Sequence, residues 1–177
     1  ILATTGAGDV LVGNVTAADA ISIAAADAIQ ESGADGTVDL TAGGLATLSA
    51  QTGIGSLGAI EISVASLSAS NNGASGSINL TESNGVTVNA LQLTNAATTA
   101  GTVTLVSTTG GIAINNGAVL SQGGLITLTA TAGAISDADG GLAVSVTNAG
   151  GALALTASTG IGTSPSPIRT AVSTLAV

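Results

Sequence analysis

Ten carboxylates and one arginine are the only side chains here that carry charge at neutral pH. There is no His, Cys, Lys or Tyr. A Ser-His-Asp or Cys-His nucleophile therefore cannot be assembled, and neither can a zinc site of the usual His/Cys kind. Two chemistries remain open to carboxylates. A pair of acids can cleave a glycosidic bond, but such a cleft also needs aromatic or basic groups to hold the sugar. The chain has no aromatic residue, and its one base is Arg169. A group of acids can instead hold a hard cation through oxygen. The expectation is thus a chain that is not an enzyme and has no organic cofactor, with calcium as the one ligand its acids suggest.

Two sets of acids carry that suggestion. Asp39 and Glu61 each stand three residues after a glycine, at Gly36 and Gly58. If the segments stack in this register the two carboxylates are near neighbours, and they repel unless a cation or water relieves them. Asn79, three residues after Gly76, takes the next place in the same series. The second set is Asp137-Ala138-Asp139-Gly140-Gly141. A short Asp-x-Asp-Gly run binds calcium in some loops, but this one lacks a closing Glu and any Gly-Gly-x-Gly-x-Asp repeat. The ordinary readings come first. They are solvated acids on an outer face for Asp39 and Glu61, and a β-turn for Asp137 and Asp139.

The elements that position these acids show as a repeat. Six units share the pattern Gly-x-aliphatic-x-aliphatic: Gly36 with Val38 and Leu40, Gly58 with Ile60 and Ile62, Gly76 with Ile78 and Leu80, Gly101 with Val103 and Leu105, Gly124 with Ile126 and Leu128, and Gly151 with Leu153 and Leu155. Their glycines are 22, 18, 25, 23 and 27 residues apart, a mean of 23. Period-2 alternation reads as a strand with one buried face. Further short apolar stretches follow within each unit, such as Val86 with Val88, Ile112 with Ile114, Leu91 with Leu93, and Val144 with Val146. Gly, Asn, Ser and Thr stand between them as corners. Two or three short strands in about 23 residues make one turn of a three-sided coil. No single coil buries its inward side chains, but stacked coils do.

The predicted fold is therefore all-β, a parallel β-solenoid of about seven coils. Residues 36–163 form its regular repeats and 1–35 its irregular first coils. Residues 164–177, with Pro165 and Pro167, form an exit segment or a last partial coil. The alanine-rich run 17–28 alternates at Ile21-Ser22-Ile23 and is expected to be strand plus corner rather than helix. Composition agrees. An interior built from Ala, Val, Ile and Leu alone is narrow and uniform, whereas irregular cores use larger, mixed side chains. The net charge of −9 leaves no basic set to neutralise nucleic-acid phosphates. No apolar run is long enough for a helical membrane span, so neither nucleic acid nor membrane insertion is expected.

The run Gly101 to Leu120 (GTVTLVSTTGGIAINNGAVL) resembles the repeats of filamentous-haemagglutinin-like adhesins, as does Gly76 to Val88 (GSINLTESNGVTV). Similar repeats occur in autotransporter passenger domains and other giant bacterial surface proteins. The resemblance spans about residues 36 to 163. It implies a right-handed parallel β-helix, secretion to the bacterial cell surface, and a structural role as an adhesin shaft or extracellular filament. It transfers no catalytic residue. A module that binds glycan or host protein on its lateral face is the alternative, although missing aromatic and basic residues disfavour sugar. The expected partners are neighbouring solenoid segments or further copies of the chain, stacked end to end.

Overall fold

The computed structural model of the chain describes residues 2–4, 6–33, 35–94, 101–140 and 143–177. Among these residues there are eighteen strands and no helix. They are joined by parallel ladders into one continuous sheet wound on itself. Parallel pairing between successive passes of one chain requires each pass to return to the same side, which gives a solenoid of about seven turns with three walls.

One wall shows why the sequence folds this way. Val10, Ile29, Ile54, Ile78, Val103, Ile126, Leu153 and Leu175 pair in succession, each Cα opposite the next. Successive members are 19 to 27 residues apart. All are buried except Leu175, which lies on the last coil. On the regular rungs the residues beside them, such as Thr104 and Thr127, are the more exposed ones, as strand alternation demands. Each aliphatic side chain therefore covers the one below it and is covered by the one above. Every interior rung depends on its neighbours for burial.

A second wall runs through Leu2, Ile23, Leu48, Ala69, Leu91, Val119, Val146 and Thr170. The third holds Val86, Ile112, Ile135 and Ile161 in the later coils, where Val88 pairs with Leu67. Val15, Leu40 and Ile62 form a ladder that runs on to Glu82 and Ser107 and so continues the first wall. Long strands such as Leu40–Ala50 and Ile60–Asn71 bend from that ladder into the second wall, and their ladder shifts register between Ala42 and Leu45. The run 17–28 resolves into strand Ile21–Ala24, a corner, and the start of strand Ala28–Glu31. Residues 162–169, with both prolines, lie outside any strand, and strand Thr170–Ala176 resumes the ladder.

The observed register differs from the sequence reading in one respect. The six glycine-led units do not share one register. Those beginning at Gly76, Gly101, Gly124 and Gly151 are aligned on the wall of Val103. Those beginning at Gly36 and Gly58 are displaced two residues along it: Ile60 and Ile62 pair with Leu80 and Glu82, and Leu40 pairs with Val15 and Ile62. In those two coils the position of Val103 is taken by Ile29 and Ile54. Between Ile54 and Ile60 the chain makes an outward loop, whose Leu57 is 85% exposed. It delays the next aliphatic pair to the following positions of the same ladder. Glu61 consequently faces Thr81 on the next rung, not Asn79, which pairs with Thr104. A slip of two residues preserves which side chains point inward, but Asp39, expected as a solvated acid on an outer face, is buried at 4% exposure. Val144 also departs from expectation. It is 39% exposed, and its neighbour Ser145 is the buried residue.

Corner glycines allow the coils to approach. Gly85, Gly110 and Gly133 stack in successive coils. A Cβ on Gly110 would lie 2.6 Å from Asn84 O and Gly85 Cα, and one on Gly133 would lie 2.5 Å from the carbonyl group of Gly110. Only glycine fits such backbone-on-backbone contacts.

Candidate functional site

Three acids converge beside the loops that follow Glu31 and Ile54. Glu31 ends strand Ala28–Glu31. The chain then loops outward and returns at Asp39, immediately before strand Leu40–Ala50. Glu61 lies one coil further on, in strand Ile60–Asn71. The ladder sets the last two face to face: the Asp39 N–H donates to Glu61 O at 2.8 Å, and the Glu61 N–H donates to Asp39 Oδ2 at 3.1 Å. One carboxylate oxygen from each of Glu31, Asp39 and Glu61 falls within 4.8 Å of the others.

The surroundings are unfavourable to three negative charges. Asp39 is only 4% exposed. Its Oδ2 accepts the Glu61 N–H. Glu61 Oε2 is shut off from solvent and has no hydrogen-bond partner. Burial raises the pKa of Asp39, and the charges of Glu31 and Asp35 push it in the same direction. Glu61 is likewise raised by burial and then by Glu31 and Asp39. Glu31 is anchored from one side, because its Oε1 accepts the Asp35 N–H at 3.1 Å. Its Oε2 lies over Gly58, where a Cβ would come within 3.0 Å. The Asp35 carboxylate bonds within its own loop instead. Its Oδ1 accepts the N–H and hydroxyl of Thr37, which lowers its pKa.

The Asp137 set is arranged differently. Asp137 ends strand Ala134–Asp137. Its Oδ1 accepts the Asp139 N–H at 3.0 Å and its Oδ2 the Ser145 hydroxyl at 2.8 Å. Asp139 Oδ2 accepts the Asn116 N–H at 2.6 Å from the preceding coil. These carboxylates tie a turn together and pin it to the rung beneath. Gly141, the last residue of that motif, lies outside the described residues. The two sets of acids are separated by several coils, so the structure joins Asp39 with Glu61 and keeps Asp137 with Asp139 apart from them.

Two further acids of interest fall outside the two sets that the sequence suggests. Glu31 has no local signal, because only the length of the loop after it brings it beside Asp39. Glu82 does have one. Extending the alternation Ile78, Leu80 by two residues points Glu82 inward, as it does Ser107 after Val103 and Leu105. Glu82 is fully buried, stacked between Ile62 and Ser107. Its carboxylate accepts the Val64 N–H at 3.2 to 3.3 Å and the Asn84 N–H at 3.1 Å. Burial pushes its pKa up to about 7 despite these bonds.

Grooves with apolar linings lie at both ends of the solenoid, one against Leu155, Ile161, Ile168 and Leu175, the other against Leu2, Val15, Ile21 and Ile23. These are the faces of the first and last rungs. Comparison of the chain with family models, curated proteins and solved structures gives no match.

Proposed function

We propose that this chain is a passive shaft segment of a secreted fibre or adhesin on a bacterial cell surface. The column from Val10 to Leu175 carries this reading. An unbroken stack of mutually covering rungs sets a length and resists bending, which is what a spacer needs, and β-solenoids commonly serve as scaffolds. The resemblance of Gly76 to Val88 and Gly101 to Leu120 to adhesin repeats supplies the bacterial surface. The acids have no lysine, histidine or aromatic neighbour that would hold a substrate, which supports a non-enzymatic role.

The end rungs suit the same role. Strand Thr170–Ala176 pairs on one side with Val146–Ala157, and the unpaired side of such a strand templates another. Whatever abuts it, a covalent continuation or a second copy, extends the ladder. Sedimentation of the 177-residue chain over a wide concentration range tests stacking of copies: mass and frictional ratio rise together if copies stack, and a compact monomer throughout counts against it. Antibody against this segment, applied to intact producing cells, tests the location. Surface labelling without saturable binding of the purified segment to glycans or host proteins supports the shaft. Labelling only after permeabilisation contradicts it.

A further inference from the structure

We infer that the seam between strands Ile60–Asn71 and Ile78–Glu82 is a joint that opens locally as pH rises, with the Glu82 side chain as its fastening. The seam is built differently from the one above it. Above, Ile78–Glu82 pairs residue for residue with Val103–Ser107. Below, Ile78 rests on Ile54, the chain loops outward, and only Ile60 to Ile62 resume the ladder, opposite Leu80 to Glu82. There this ladder ends. The Val64 N–H, just beyond it, donates to the Glu82 carboxyl oxygens at 3.2 to 3.3 Å. A side chain thus takes over where backbone pairing stops, and it ties one coil to the next.

That side chain is an acid with no exposed surface. Its other donor is the Asn84 N–H. The Ser107 hydroxyl above it turns instead to Asn84 O and Gly110 O. The chain's one base, Arg169, lies on the last coil. The strands paired with Ile78–Glu82 carry one further ionisable group, Glu61, which stands opposite Thr81 and bonds to Asp39. Protonated, the Glu82 carboxyl fits its site, because the two amides need only an acceptor. Ionised, it is a buried charge with no counter-charge, and such a charge is costly. Burial raises its pKa to about 7 accordingly. The seam is therefore secure at low pH and weakens as pH rises through that value. Each coil of a solenoid contacts only its neighbours. Opening this one seam hydrates the charge at less cost than unfolding every coil.

The test is amide hydrogen exchange of the whole chain, resolved by segment, at about pH 5 and about pH 8 and corrected for the intrinsic pH dependence of exchange. Amides of residues 62–64 and of strand Ile78–Glu82 should lose protection at least about ten-fold at the higher pH. Strands Leu125–Ala130 and Val146–Ala157 should keep theirs. Glu82→Gln keeps the acceptor for Val64 and Asn84, so it should retain the circular dichroism and abolish the loss at the seam. If that variant does not fold, the segment pattern of the original chain decides alone. The inference is overturned if the seam keeps its protection at about pH 8, if all coils lose protection together, or if folded Glu82→Gln shows the same local loss.

Discussion

Stability should fall as pH rises through the range from 4.5 to about 7, and Glu82 should be the main cause. Its carboxyl is fully buried between Ile62 and Ser107, with a pKa raised from 4.5 to about 7. Below the lower value it is protonated in both the folded and the unfolded chain, and burial costs nothing extra. Between the two values the unfolded chain releases the proton and the folded chain keeps it, so each step in pH favours unfolding. Above the upper value the difference is complete and constant. A shift of this size corresponds to about 3 kcal/mol at roughly 1.36 kcal/mol per pKa unit, a sizeable share of the roughly 5–15 kcal/mol typical of a domain. Glu82→Gln removes the ionisation and keeps the volume. Asp39 and Glu61 are also raised and contribute with the same sign, but they are common to both proteins. Guanidinium unfolding in the presence of chelator, at about pH 4.5 and about pH 8, isolates Glu82 as the difference between the two pH dependences. The original chain should lose about 3 kcal/mol more than Glu82→Gln over that interval. Parallel curves, within about 0.5 kcal/mol, would refute the placement of Glu82 as a dry, inward carboxyl.

The aliphatic column and the corner glycines make further predictions. Leu105 is fully buried between Leu80 and Leu128, so Leu105→Ala should cost about 2–5 kcal/mol in chemical denaturation. Leu57→Ala, at a side chain 85% exposed, should change stability by less than about 0.5 kcal/mol. Gly110→Ala should cost about 1–3 kcal/mol because its new methyl meets Asn84 and Gly85 backbone at 2.6 Å. Gly6→Ala has nothing within 4 Å and should be neutral in the same melting assay.

Much of the fold is legible in the sequence because its main signal is local and repeated. Val103, Ile126 and Leu153 each sit two residues after a glycine, and they occupy one interior column as that spacing suggests. The signal weakens where coil length changes. Nothing in Gly58-Ala59-Ile60 reveals that Ile54 already holds the position opposite Ile78, so spacing alone places its pair two residues out of register. The acids are subject to the same limit. Asp39 and Glu61 pair as their spacing suggests because both precede inward aliphatics at equal offsets, Leu40 and Ile62. Glu31 joins them through a loop whose path no pattern encodes. Glu82 is legible in principle, but a carboxylate at an inward position contradicts the expectation that interiors are apolar. Only the amides of Val64 and Asn84 turning toward it explain how it is accommodated.

The central claim is that each coil lies directly on the next in the register described, and a disulfide tests it most directly because the chain has no cysteine of its own. Thr104 and Thr127 are opposite each other on adjacent rungs, and Ala154 lies one rung beyond. Adjacent parallel strands are about 4.8 Å apart, within the roughly 4.4–6.8 Å between Cα atoms that a disulfide spans. The Thr104→Cys, Thr127→Cys double variant should oxidise readily to an intramolecular disulfide and retain its circular dichroism. The Thr104→Cys, Ala154→Cys variant, two rungs apart, should remain reduced under the same conditions. Efficient closure of the second pair but not the first would contradict the stacked register.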